Sequence, residues 1–228
     1  NIAKIYEVGE QEGTPFIAMQ YIDGTTLSKA KLTLEEKLRA LEKIAGAVAF
    51  AHSRKVIHRD LKPANVMVDL HGHVYVMDFG LAKEVEGDSL TGTNVVVGTA
   101  NYMPPEQARG QATPLSDLYS IGAILYELTT GRPPFVGEST AEVLSQVITQ
   151  EPVWPRKLAP GLPADIEAMI LKAMEREPEM RYASVAAMLE DLSAYLAKEP
   201  LRHARRPTPL YVLVKKIRKQ PMLWSLGA

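Results

Sequence analysis

The 228-residue sequence contains no cysteine, no long apolar run and almost no net charge. The absence of cysteine excludes disulfide bonds and zinc sites with thiolate ligands, and it is consistent with a reducing compartment. No stretch of about 18 apolar residues occurs, so the sequence contains no complete membrane-spanning helix. The formal net charge of −1 gives no overall attraction to nucleic acid, and we expect no nucleic-acid partner.

The composition is that of a globular protein with a substantial core, because 46% of the residues are hydrophobic and 23% are charged. The length allows one large domain or two small ones. The sequence opens at Asn1 without an initiator Met, and no apolar run near that end resembles a signal peptide. We therefore expect a fragment that starts inside a longer protein.

The hydrophobic pattern predicts strands mainly near the N-terminus and helices in the C-terminal half. Thr33 and Glu36 form a capping box, which marks a helix start. The polar stretch 81–103 is predicted to be a long functional loop. The predicted strands are 4–9, 15–22, 66–68 and 74–77, and the further helices are 116–130, one capped by Ser139 and Glu142, 164–175 and 184–197.

One short segment carries more functional information than the rest of the sequence. Residues 58–65 read His-Arg-Asp-Leu-Lys-Pro-Ala-Asn, and Asp78-Phe79-Gly80 begins thirteen residues after Asn65. These are the patterns H-R-D-L-x-x-x-N and D-F-G, which supply a proton acceptor and two metal-holding side chains. Phosphoryl transfer needs this combination, because a hydroxyl must be aimed at phosphorus while metal ions neutralise the phosphates.

On these motifs the sequence resembles a bacterial, eukaryotic-like Ser/Thr protein kinase. The resemblance covers roughly residues 1–197 and implies an α+β, protein-kinase-like fold, mainly the helical large lobe with the hinge and the last small-lobe strands. It implies the end of the small lobe and the hinge at 1–22, the large lobe with the catalytic and activation loops at 23–197, and a basic juxtamembrane-like tail at 198–228. It also implies ATP and Mg²⁺ as cofactors and protein substrates with Ser or Thr acceptors.

The resemblance assigns roles in catalysis to residues of the two motifs. Asp60 corresponds to the catalytic base that accepts or orients the proton of the substrate hydroxyl, and Lys62 would reach the transferred phosphate. Asn65 and Asp78 would hold two Mg²⁺ ions, which take few protein ligands. Thr99 would contact Asp60 and Lys62 and favour Ser or Thr acceptors over Tyr. An isolated Asp or Asn more often caps a turn, but the complete pattern favours these roles.

A second set of matches implies the adenine-binding residues. Met19 would be the gatekeeper beside the adenine, and the backbone of Gln20 and Ile22 would bond the adenine edge. Most relatives carry Glu where Gln20 stands, which matters little if only the backbone is used. Met67 would form the floor under the adenine, although a Met on a strand is equally well explained by ordinary core packing.

Two matches imply an assembled active state. Phe79 and His58 would stack with Ile5 in a hydrophobic spine, and Gly80 completes the motif that begins at Asp78. For Ile5 alone, ordinary core packing is an equally good explanation.

Three further residues are implied to be structural. Glu106 and Arg181 correspond to a buried ion pair, although Pro104 replaces the Ala of the family's usual Ala-Pro-Glu. Asp117 would hydrogen-bond the backbone of the turn at residues 58–59. The alternative for Asp117 is an acid at a helix start, where the helix dipole favours negative charge.

The activation segment contains the implied regulatory sites. Thr91 and Thr93 stand at the spacing of the autophosphorylation pair in related bacterial kinases, which also implies self-association for phosphorylation between copies. Arg59 supplies a positive charge against which a phosphothreonine could order the loop. The alternative is that Thr91 and Thr93 are solvated loop hydroxyls.

Several parts of a working kinase are missing from the sequence. No G-x-G-x-x-G occurs, and Lys4 does not match the ATP-pairing Lys. By resemblance these parts would precede Asn1, so we expect little or no kinase activity from the isolated chain. Three interpretations remain open: an active kinase, a pseudokinase-type binding scaffold and a helical interaction domain. The intact catalytic set favours the first.

The last thirty residues are basic and then turn apolar. The apolar onset at 222–226 is either the start of a membrane helix or the end of a solvated tail. In the first case the kinase domain is cytoplasmic and the parent protein is anchored in the inner membrane. The basic residues are Arg202, Arg205, Arg206, Lys215, Lys216, Arg218 and Lys219.

Overall fold

A computed structural model describes residues 1–79, 99–205 and 208–219. Within these ranges the architecture is α+β, as predicted, with two small antiparallel sheets and a larger helical body. The strands are β1 (Ile5–Gln11), β2 (Thr14–Met19), β3 (Gly24–Thr26), β4 (Val66–Asp69) and β5 (Val74–Val76). The helices are α1 (Leu34–Ser53), α2 (Pro105–Ala108), α3 (Pro114–Thr130), α4 (Thr140–Thr149), α5 (Pro155–Leu158), α6 (Ala164–Ala173), α7 (Val185–Leu196) and α8 (Pro209–Lys219).

The two strands predicted at 4–9 and 15–22 are confirmed, and they form a hairpin. Strands β1 and β2 pair antiparallel from Ile5 opposite Met19 to Gln11 opposite Thr14. The expectation that Ile5 packs in a core or spine is wrong, because its side chain is 47% exposed. The physical reason is that β1 and β2 form a sheet of only two strands within the described residues, and such a sheet leaves its faces largely open to solvent.

The second sheet joins the hinge to the catalytic segment. Strand β4 lies between β3 and β5, and both pairings are antiparallel. Val66 and Val68 alternate with half-buried residues along β4, so one face of the strand packs into the core. Gly72 closes the β4–β5 turn with φ +80°, a left-handed conformation that favours glycine. Because β4 and β5 are antiparallel, the end of the catalytic loop and the start of the D-F-G segment lie at the same end of this sheet.

Helix α3 forms the centre of the helical body. It starts two residues earlier than predicted, because Thr113 caps it and Pro114 occupies its first position. Every residue from 116 to 126 is buried. Gly122 permits the close crossing with α6, since a Cβ at that position would lie 2.8 Å from the Cβ of Ala173. The predicted end of this helix at residue 130 is confirmed, and Gly131 caps it with φ +82°.

The chain returns to the core after α7. Leu201 is fully buried. Asp191, which is also fully buried on α7, accepts backbone N–H bonds from Arg202, His203 and Ala204 at 2.6, 3.1 and 2.7 Å. Helix α8 follows, and the sequence pattern does not predict it. None of the helices in the described ranges has both the length and the apolar character needed to cross a membrane.

Candidate active site

A buried carboxylate at the start of α3 holds the catalytic loop. Asp117 is 1% exposed, and its Oδ2 and Oδ1 accept the backbone N–H groups of His58 and Arg59, each at 2.8 Å. Arg59 has φ +70°, which an L-residue adopts only when its surroundings hold it there. The side chain of His52, at the end of α1, adds a third contact to Asp117 Oδ2 at 2.7 Å. The expected contact between Asp117 and the 58–59 turn is therefore present.

His58 links this turn to the D-F-G segment. Its Nε2 lies 2.8 Å from the carbonyl oxygen of Met77, so Nε2 carries the proton and donates. Its Nδ1 then accepts the N–H of Asp60 at 3.3 Å. Burial lowers the pKa of His58, although Asp117 and other nearby carboxylates act to raise it. The lowered pKa favours the neutral form with the proton on Nε2. The ring packs on Phe79 with centroids 4.6 Å apart.

The predicted catalytic residues form one hydrogen-bonded cluster. Lys62 Nζ donates to Asp60 Oδ2 at 2.8 Å and to Thr99 Oγ1 at 2.7 Å. Asn65 Nδ2 donates to the same Asp60 oxygen at 3.1 Å and to the Asp60 carbonyl at 2.9 Å. Lys62 thus bridges Thr99 to Asp60. The Asp60 side chain is 30% exposed, so a substrate hydroxyl can reach it.

The hydrogen bonds of Asn65 determine which atom it could offer to a cation. Both bonds use the amide nitrogen, which leaves the oxygen Oδ1 as a hard ligand. Asp78 follows β5 and, like Arg59, adopts a left-handed backbone conformation, with φ +62°. In the described residues, no three His, Cys, Asp or Glu side chains cluster as a metal site. One amide and one carboxylate fit Mg²⁺, which takes its remaining ligands from phosphate and water.

The hinge residues follow β2 directly. Met19 ends the strand, and the Gln20 N–H donates to the carbonyl of Lys4 at 2.8 Å. Ile22 is buried, and within the described residues neither its backbone N–H nor its carbonyl makes a hydrogen bond to protein. These two backbone groups could therefore bond the edge of a planar base.

Met67 lies on the face of β4 that turns away from the core. Val66 and Val68 are buried on the opposite face, whereas Met67 is half-buried. Met67 is therefore not a fully buried core residue, and its place under an adenine ring stays a prediction.

The predicted ion pair between Glu106 and Arg181 is present and bidentate. Arg181 donates from two nitrogens to the two Glu106 oxygens at 2.7 and 2.8 Å. Ser116 adds a bond to Glu106 Oε1 at 2.9 Å, and both charged residues are buried. The pair ties the segment after the activation loop to α3 and to the turn before α7.

Some predicted site residues cannot be placed. Gly80, Thr91 and Thr93 lie outside the described residues. The roles inferred for the other site residues stay predictions, although their contacts are described above.

Two contacts that position the catalytic loop are absent from the sequence prediction. His52 bonds Asp117, and Gln107 Nε2 donates to the carbonyl of Arg59 at 2.5 Å. His52 stands in the last turn of the helix that precedes the catalytic motif, which is a usable sequence signal. Gln107 follows Glu106 with no comparable signal, because a Gln on a short helix is ordinarily a surface residue.

The comparison with known families agrees with this geometry. Residues 1–192 match the protein kinase domain family. The chain belongs to the protein kinase family. The expected resemblance to Ser/Thr kinases and the kinase-like α+β fold are both confirmed.

Among curated proteins, this protein kinase chain is similar to bacterial serine/threonine-protein kinases. It is 40% identical to the serine/threonine-protein kinase PknB of Mycobacterium tuberculosis over 211 residues, covering 87% of this chain and 34% of the relative. A probable serine/threonine-protein kinase of Streptomyces coelicolor is 42% identical, with 88% and 32% covered. The serine/threonine-protein kinase PrkC of Bacillus subtilis is 37% identical, with 90% and 33% covered. The chain spans about a third of the length of these relatives.

We predict that Glu106→Ala lowers the free energy of unfolding of the chain by about 3–5 kcal/mol, because it leaves the buried Arg181 guanidinium without its partner. Urea denaturation gives the measurement. The matched control is Glu35→Ala, which removes an exposed Glu–Arg pair on α1 with a 2.8 Å contact to Arg39. That change should cost no more than about 0.5 kcal/mol. Equal losses in the two variants would contradict the structural role of the buried pair.

Proposed function

We propose that the protein containing this chain transfers the γ-phosphate of ATP to Ser or Thr hydroxyls of proteins. The observation that carries the proposal is the cluster in which Lys62 bridges Asp60 and Thr99 while Asn65 fixes the same Asp60 carboxylate. This geometry places a proton acceptor, a positive charge and an amide oxygen that could bind a metal ion within one small region. Positioning and electrostatic stabilisation are the main requirements of phosphoryl transfer.

Asp60 would act on the acceptor hydroxyl. The two side-chain hydrogen bonds described for its carboxylate both end at Oδ2, which leaves Oδ1 to accept or orient the hydroxyl proton. The acceptor oxygen then forms a bond to phosphorus, the bond to the leaving phosphate breaks, and the proton goes to Asp60. Lys62 would balance the negative charge that develops on the transferred group.

Asn65 and Asp78 would hold Mg²⁺, and the hinge would hold ATP. When bound there, Mg²⁺ would neutralise the negative charge of the phosphates. Ile22 would bond the adenine edge through its backbone N–H and carbonyl, and Gln20 through its carbonyl. Met19 and Met67 would border the ring, since Met67 lies on the open face of β4.

Thr99 supports the choice of Ser and Thr as acceptors. Its hydroxyl is held by Lys62 beside Asp60, so the segment that follows the activation loop lies close to the proposed base. In this position Thr99 would favour the short hydroxyl side chains of Ser and Thr over Tyr.

The location of the protein is a second part of the proposal. We infer a kinase domain in the cytoplasm and a parent protein attached to the inner membrane. The absence of cysteine and the concentration of Lys and Arg in the last thirty residues support this location.

For the natural gene product, we predict that Asp60→Asn lowers kcat for phosphorylation of a protein substrate by about 10²–10⁴-fold with little change in KM for ATP. The substitution keeps the size of the side chain but removes its capacity to take a proton. Radiolabelled γ-phosphate transfer to myelin basic protein, or to the protein itself, gives the measurement. Glu190→Gln, a change to an exposed carboxylate on α7, is the matched control and should retain activity.

Two results of this assay would count against the proposal. Equal activity of Asp60→Asn and the unmodified protein would exclude Asp60 as the base. A natural gene product that binds ATP but transfers no phosphate under any condition would favour the pseudokinase-type scaffold instead.

We also propose that Thr91 and Thr93 are phosphorylated between copies of the protein and that Arg59 pairs with the phosphate. Thr91→Ala/Thr93→Ala should lower kcat about tenfold or more, because the activation loop then lacks a charge to order it. Phosphopeptide mapping of the active gene product gives the direct measurement, with Thr149→Ala, an exposed Thr on α4, as the control. An active protein with neither threonine phosphorylated would contradict this part.

A further inference from the structure

Within the part of the chain that the structure describes, helix α8 has an exposed apolar face. Leu210, Leu213 and Val214 are 71%, 43% and 39% exposed. Their i, i+3, i+4 spacing places them on one side of the helix. In the sequence, Ile217 continues the same spacing at i+7 from Leu210. Isolated exposed apolar residues are common, but a whole helical stripe of them indicates a partner.

The opposite face of α8 is attached to the helical body. Lys215 Nζ lies 2.7 Å from Asp165 Oδ2, and Arg205 NH1 lies 2.8 Å from Asp165 Oδ1. The Tyr211 hydroxyl accepts the backbone N–H of the buried Leu201 at 3.0 Å. These contacts fix the rotation of the helix about its axis. Consequently, Leu210, Leu213 and Val214 cannot turn inward.

The anchoring carboxylate remains charged at neutral pH. Burial alone would raise the pKa of Asp165, but the hydrogen bonds and charges of Lys215 and Arg205 outweigh it and hold the pKa below its ordinary value. The attachment of α8 is therefore maintained under physiological conditions.

The charge of the chain is strongly segregated around this helix. Residues 200–228 contain seven of the 26 Lys and Arg residues and none of the 27 Asp and Glu residues. The first 199 residues therefore hold 19 Lys and Arg against 27 Asp and Glu. Asp165 pairs with two of the seven cations, Arg205 and Lys215. A basic segment that also carries an apolar helical stripe is typical of helices that lie on anionic membranes.

We propose that α8 binds the surface of an anionic phospholipid bilayer, with its apolar stripe in the boundary between headgroups and acyl chains and the net positive charge of residues 200–228 attracted to lipid phosphates. Contacts of Tyr211 and Lys215 hold one side of the described part of α8 on the helical body, so the helix would meet the bilayer with its exposed side and lie parallel to the surface. A second copy of the chain is a poorer partner, because it would bring two excesses of positive charge together. The inference extends the membrane location proposed above and does not depend on phosphoryl transfer.

Site-specific labelling gives the first test, and the cysteine-free sequence makes it direct. Leu213→Cys in the full 228-residue chain is labelled with an environment-sensitive fluorophore and mixed with vesicles. We expect a blue shift with phosphatidylcholine–phosphatidylglycerol vesicles and none with pure phosphatidylcholine. Val136→Cys, at an apolar position that is 57% exposed and distant in sequence, is the matched control and should show no shift. The absence of a shift at Leu213→Cys would overturn the proposal.

Vesicle co-sedimentation gives the second test. Leu213→Asp/Val214→Asp should lower the partition coefficient onto anionic vesicles about tenfold or more, whereas Val136→Asp should leave it unchanged. Both positions are exposed, and an unchanged melting temperature shows that each variant folds. Binding should also weaken in about 0.5 M salt, because lipid phosphates are then screened. Two results would overturn the proposal. One is unchanged vesicle binding of the double variant. The other is that the unmodified chain forms a dimer and the double variant does not. Neither result would bear on the kinase activity.

Discussion

The candidate active site depends on one buried carboxylate. Asp117 holds the backbone of His58 and Arg59 from the first turn of the most deeply buried helix, and His52 adds a contact from a second helix. A desolvated carboxylate is costly unless its oxygens are hydrogen-bonded, and three donors satisfy this one. The same bonds hold Arg59 in a left-handed conformation. Asp60 follows directly, so its position is set by α3 rather than by the flexibility of its own loop.

Two other buried acids repeat this arrangement in the helical body. Glu106 receives two bonds from Arg181 and one from Ser116, and it thereby attaches the end of the activation segment. Asp191 receives three consecutive backbone N–H groups and thereby attaches the chain that leads to α8. In each case a buried carboxylate attaches an irregular segment to a helix, and both of its oxygens accept hydrogen bonds. Catalysis and the proposed membrane contact would therefore be built on one rigid body.

The parts of this structure that the sequence predicts are those with local causes. The capping box at Thr33, the end of the helix at residue 130 and the strand at 66–68 depend on neighbouring residues, and all three are confirmed. The catalytic motif is likewise contiguous, so its cluster could be expected. The remainder depends on distant partners. Nothing near Asp191 in sequence indicates that it accepts backbone groups ten or more residues later, and the attachment of α8 depends on Asp165, 50 residues before Lys215. The β1–β2 hairpin is exposed because its sheet has no third strand among the described residues.

Amide hydrogen exchange in Asp117→Asn tests the central role of this carboxylate most directly. The substitution retains the side-chain shape but replaces one accepting oxygen with a donor, so one charge-assisted bond worth about 1.5–3 kcal/mol is lost. We expect the His58 or Arg59 amide to exchange roughly ten- to a hundredfold faster, while the amides of α3 keep their protection. We also expect a parallel fall in kcat of the natural gene product. Unchanged exchange at both amides, together with unchanged kcat, would contradict the account.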